Sequence, residues 1–112
     1  MELNGRIEGT DVLVIELRED NLDASNVREF RDAALPLMQE RSRIVLDMAG
    51  VKFIDSSGLG ALIACLRQVN GRQGDLRLCA MSATVRALFE LMRMHRVFNI
   101  HDTRADAVAS FG

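Results

Sequence analysis

Apolar and polar residues follow one another along this chain in runs whose period changes, and the changes mark its elements. Leu3 to Glu8 reads as a first strand, and Gly9-Thr10-Asp11 as a turn. Val12-Leu13-Val14-Ile15-Glu16-Leu17 is β-branched and apolar, so it reads as a second, buried strand paired with the first in a hairpin. Glu19 to Asp23 is a polar loop with one apolar anchor, Leu22. From about Ala24 to Glu40 the period becomes helical. Val27, Phe30, Ala34, Leu37 and Met38 share one face, and Asp23 or Ser25 can cap the start. Pro36 lies inside that span and predicts a kink or an early end.

Ile44-Val45-Leu46-Asp47-Met48 suits a central strand. Ala49 to Ile54 reads as the connection to Asp55. A second helix is expected from about Ser57 to Asn70, with Leu59, Leu62, Ile63 and Leu66 as its apolar stripe and Gly71 to Gly74 as its end. Leu76 to Ala80 is a further strand. Ser82 can cap a third helix that buries Val85, Leu88, Phe89 and Met92. Val97 to Ile100 reads as a short last strand, and Thr103 as the cap of a last helix ending near Ser110. Alternation of strand and helix after residue 24 predicts an α/β fold. Its sheet is mixed and mostly parallel, behind an N-terminal antiparallel hairpin, with about four helices. No linker, repeat or low-complexity segment interrupts the pattern, so residues 1–112 are expected to form a single domain.

Composition narrows the function classes. The chain is 48% hydrophobic and 27% charged, which sets it apart from disordered and disulfide-dense sequences. Its formal net charge is -2 with acids and bases mixed, which argues against a nucleic-acid partner. Cys65 and Cys79 belong to no CxxC pair and read as buried apolar residues in a reducing compartment. No apolar run approaches the roughly 18–20 residues of a membrane span. The N-terminus lacks a charged-then-apolar signal pattern. A cytoplasmic protein with no direct membrane insertion is expected.

Candidate chemistry concentrates in Asp55-Ser56-Ser57-Gly58-Leu59-Gly60, which joins a buried strand region to a helix. Helix N-termini present unpaired N–H groups and favour negative charge. Gly58 and Gly60 keep side-chain bulk away from the loop and first turn, and Asp55 can accept hydrogen bonds. On these local features alone, a serine acting simply as the helix cap is the plainest reading. A nucleotide P-loop lacks its G-x-x-x-x-G-K-[ST] spacing. A serine hydrolase lacks G-x-S-x-G, and only the distant His95 and His101 remain as bases. Neither histidine has metal-ligand spacing to a second ligand, and no cofactor pattern is present.

The run from Ile44 through Asp55-Ser56-Ser57-Gly58-Leu59-Gly60 resembles the signature of the STAS family, and more narrowly that of the bacterial anti-sigma factor antagonists. Leu22-Asp23 resembles the family's acidic loop. Leu78 to Ser82, with Val85, Leu88 and Phe89, resembles its fourth strand and third helix. The resemblance spans nearly the whole chain and implies a STAS fold. It also implies a partner-switching cycle. The unphosphorylated antagonist binds an anti-sigma factor that is a serine kinase. The kinase phosphorylates the serine after the motif aspartate, here Ser56, and the modified form lets go. A PP2C-type serine phosphatase restores it. Asp23, Asp55, Ser57 and Gly58 would flank the contact. Leu59 reads equally as core or partner contact, and Met81 is a candidate at the edge of the surface. Two departures stand out: Asp20-Asn21-Leu22-Asp23 lacks the glycine many relatives carry, and Pro36 interrupts the first helix. Two other readings stay open. One is a non-phosphorylated STAS subunit of a membrane transport complex. The other is an enzyme, for which no sequence feature asks.

Overall fold

In the computed structural model, which describes residues 1–112, the expected strands assemble into one five-stranded sheet. Asn4–Glu8 (β1) pairs antiparallel with Val12–Glu16 (β2), as the turn residues between them require. Arg43–Asp47 (β4), Asp75–Cys79 (β6) and Ile100–His101 (β7) then add in parallel, giving the order β1-β2-β4-β6-β7. Strand residues split between the two faces by their period of two. Leu13, Ile15, Ile44, Leu46, Leu76 and Leu78 point into the large core, beneath Val27–Met38 (α1), Ser56–Asn70 (α2) and Ala83–Leu91 (α3). Val12, Val14, Val45 and Cys79 point the other way, against Ala107 of the short helix Arg104–Ala109 (α4). The architecture is the expected mixed, mostly parallel α/β sheet with four helices.

Several boundaries differ from expectation, each for a local reason. Helix α1 begins at Val27, and Asn26 rather than Asp23 or Ser25 precedes it. Residues 23–26 are occupied by a hydrogen-bonded loop instead. The Asp23 carboxylate accepts the Ser25 amide, and Asn26 Oδ1 accepts the Asp23 amide. Pro36 is accommodated inside α1, which ends early at Met38. The carbonyl that proline leaves without a donor belongs to Asp32, on the exposed side of the helix. Met92 does not join the core and is 45% exposed, because α3 stops at Leu91 and the chain leaves the helical register there. The last strand falls at Ile100–His101 rather than 97–100. A 3₁₀ turn at Met94–Arg96 displaces it, and Phe98 packs edge-on against Phe89 with centroids 6.1 Å apart.

The larger correction concerns Phe53–Ile54, read from sequence as a connector. It is a strand (β5), paired in parallel with Asn21–Leu22 (β3) in a separate two-stranded sheet. The pair ties the loop before α1 to the segment before α2.

On the opposite sheet face, Arg104 holds three strands to α4. Its Nε donates to Asp47 Oδ2 at 2.9 Å, and its guanidinium lies 3.2 Å from Glu8 and 3.4 Å from Glu16. Asp47 is 9% exposed, so its charge depends on that partner. Arg104→Met is therefore expected to cost about 2–3 kcal/mol, since it leaves a mostly buried carboxylate unpaired. Urea unfolding should show a lower midpoint at an unchanged m value; an unchanged midpoint would contradict this role.

Candidate functional site

The start of α2 is built by one carboxylate. Asp55 adopts an extended conformation (φ -109°, ψ -175°) as the N-cap of the helix. Its Oδ1 accepts the Gly58 amide at 2.9 Å, and its Oδ2 accepts the Ala24 amide at 3.2 Å. The cap is thus the aspartate, not a serine. Ser56 and Ser57 become the first two helical residues. Both are exposed, and no protein group hydrogen-bonds either hydroxyl.

The neighbouring backbone locks this arrangement. The Asp55 amide donates to the Leu22 carbonyl at 3.3 Å, extending the β3–β5 register Leu22↔Ile54. The amides of Lys52 and Phe53 both donate to the Asp20 carbonyl, at 2.6 and 3.2 Å. Gly58 packs so tightly on the same strand that a Cβ there would lie 2.2 Å from the Leu22 carbonyl oxygen. Glycine is obligatory at that position for packing, not for an unusual φ.

The loop residues add charge. Asp23 is half-buried, and its carboxylate accepts both the amide and the hydroxyl of Ser25 and the Asn21 side-chain amide. The Ser25 hydroxyl bond, followed by the Ser25 backbone bond, lowers its pKa below the ordinary 3.8. Asp20 is exposed and 3.9 Å from Lys52. The carboxylates of Asp23 and Asp55 thus belong to the same corner as the two neutral hydroxyls, and the Asp20 charge is matched by Lys52.

The other expected site residues separate into two groups. Asp23, Asp55, Ser56 and Ser57 are brought together by the β3–β5 pair. Leu59, readable from sequence as core or partner contact, is 3% exposed and lies in the core, so its side chain cannot be a surface contact. Gly58 is buried and also serves packing. Met81 is half-buried on the loop before α3, its side chain against the main core, and makes no hydrogen bond to the start of α2. Sequence reasoning missed Phe53, which is 49% exposed two residues before Asp55. The outward Phe and inward Ile of β5 are a period-two signal too short to stand out.

The chemistry open to this site is limited. Both Asp55 oxygens are engaged by backbone amides, and no imidazole hydrogen-bonds either serine. A hydroxyl without a base is a poor nucleophile for catalysis, yet it is open to a group delivered from outside. Elsewhere, burial raises the Cys65 thiol pKa and pushes that of Cys79 up to about 12, so both thiols stay protonated. No group of three or more His, Cys, Asp or Glu side chains is placed to hold a metal ion, and no helix is long and apolar enough to cross a membrane.

Comparison with known proteins agrees with this geometry. A family profile described as STAS domain matches residues 6–107. An anti-sigma F factor antagonist from Paenibacillus polymyxa is 27% identical over 99 residues, covering 87% of this chain and 84% of that one. An anti-sigma-factor antagonist (STAS) domain protein from Planctomyces limnophilus superposes with a TM-score of 0.88 at 22% identity, covering 98% of this chain and 97% of the other. The Bacillus cell fate determinant SpoIIAA, in its phosphorylated form, superposes with a TM-score of 0.70 at 20% identity, covering 98% and 99%.

Two predictions follow from the locked loop and its charge. Gly58→Ala should destabilise the fold by about 2–3 kcal/mol through overpacking; a thermal midpoint equal to wild type would show that the β3 carbonyl can yield. The second concerns Asp23. A depressed folded-state pKa stabilises the loop above the ordinary value of 3.8, and the contribution is lost as pH falls through the depressed one. The Ser25 amide resonance should titrate with a midpoint below 3.8. A midpoint at or above that value would remove the hydrogen bonds as the cause.

Proposed function

The chain belongs to the STAS domain family, and from that premise we propose that it is an anti-sigma factor antagonist switched by phosphorylation of Ser56. Residues 1–112 act as one STAS domain. The observation that carries the reading is the division of labour at α2: Asp55 does the capping, so the Ser56 hydroxyl is exposed and unengaged. The similarity to anti-sigma factor antagonists along most of the chain supports it. So does the existence of a phosphorylated form of the similarly folded SpoIIAA.

In the proposed cycle the unphosphorylated chain binds an anti-sigma factor that is also a serine kinase, in the cytoplasm. The Ser56 oxygen attacks the γ-phosphorus of ATP held by that partner. A new O–P bond forms, the bond to the β-phosphate oxygen breaks, ADP leaves, and the hydroxyl proton passes to a base or water on the partner side. A PP2C-type phosphatase reverses the modification by hydrolysis. The added charge of about -1.5 to -2 lies where helix N-termini tolerate anions, so the fold persists. It also adds to the charge of Asp55 and the neighbouring Asp23, so a partner surface fitted to a neutral serine is repelled. Losing about 2.7–4.1 kcal/mol there weakens binding roughly 100- to 1000-fold.

The test is incubation with the partner kinase and ATP, followed by mass spectrometry of the peptide containing Ser56. Phosphate on Ser56 with Ser57 unmodified is expected, and Ser56→Ala should stay bound under phosphorylating conditions. Phosphate elsewhere, with Ser56→Ala still released, would overturn the mechanism. The transport-subunit reading rests on likeness of fold alone, and no feature of the site favours it.

A further inference from the structure

The first two turns of α2 contain two glycines, and the fold needs only one of them. Gly58 is pressed against β3. Gly60 is exposed, and a Cβ built on it meets nothing within 4 Å. Its φ is not in the left-handed region, so no backbone constraint calls for glycine either. Glycine inside a helix is unfavourable relative to alanine, because it leaves more backbone freedom in the unfolded chain. At position 60 the fold therefore loses stability and gains no packing in return.

What glycine does there follows from helix geometry. Residues four apart lie on the same face, and helical Cα–Cβ bonds tilt toward the N-terminus. A side chain at 60 would lean over the turn that begins with Ser56. The serine side chain is short, so whatever delivers a phosphoryl group to its oxygen must approach the backbone of α2 closely. We propose that Gly60 determines access to Ser56: its missing side chain is the clearance through which the serine kinase seats on α2. This rests on the reading of Ser56 as the phosphate acceptor. The occupant is that kinase, because the cleared surface is continuous with the hydroxyl it must reach.

The experiment uses the full chain as wild type, Gly60→Ala and Gly60→Leu, with the purified partner serine kinase and with ATP. Both variants should fold, and Gly60→Ala should raise the thermal midpoint by about 3–6 °C. Their Ser56 phosphorylation should nevertheless slow, by about 10-fold for Ala and 100-fold or more for Leu, mainly through a higher KM. Stability and modification thus move in opposite directions, which a merely structural role would not produce. Equal phosphorylation rates in all three would overturn the proposal and leave the role of Ser56 standing. A lowered midpoint in Gly60→Ala would make the glycine structural and also overturn it. Absence of phosphate from wild-type Ser56 would instead overturn the reading beneath it.

Discussion

One carboxylate organises the face that carries Ser56. Asp55 bonds forward to the Gly58 amide and sideways to the Ala24 amide, joining the start of α2 to the loop that leads into α1. Hydrogen bonds to an ionised acceptor are roughly twice as strong as neutral ones. The two-residue strands β3 and β5 would be marginal alone. They persist because the Asp55 amide continues their ladder and Gly58 closes against the same Leu22 carbonyl. The consequence for function is indirect but decisive: with the cap position filled, Ser56 has no structural duty.

The opposite face of the sheet is held by a different device. Arg104 gathers Glu8, Glu16 and Asp47 under α4, far along the sequence from the serine loop. Helix pairs on the main face are fixed at both ends. The Ala24 amide meets Asp55 at one end, and Arg72 donates to the carbonyls of Met38 and Arg41 at the other. Helices α1 and α2 therefore lie side by side in the same direction. Ser56 stands on a stiff framework, so a charge placed on it acts on whatever docks there rather than on the core.

Much of this was legible in the amino-acid order. The hairpin, the central strands and the helical stripes followed from runs long enough to establish a period. The rest was hidden for physical reasons. A two-residue strand has no period to read, so Phe53–Ile54 reads as a connector and Asn21–Leu22 as part of a polar loop, and their pairing is invisible in sequence. The stripe through Val85, Leu88 and Phe89 extends in sequence to Met92, but nothing local marks that α3 stops first. Aspartate and serine are both good caps, so the serine cap that local features favour gives way to Asp55 only once Leu22 pairs with Ile54 and sets where α2 begins. Leu59 was undecidable until the rotation of α2 placed it in the core.

In the proposed switch, phosphate on Ser56 changes what the surface binds while leaving the fold intact. The most direct test is calorimetric titration of the anti-sigma factor partner into unmodified and Ser56-phosphorylated protein, with thermal unfolding of both. Affinity should fall roughly 100- to 1000-fold on phosphorylation, with the two unfolding midpoints within about 3 °C, less than the shift expected of a 1 kcal/mol change. Equal affinity for the two forms, or a loss of binding that accompanies unfolding, would contradict it.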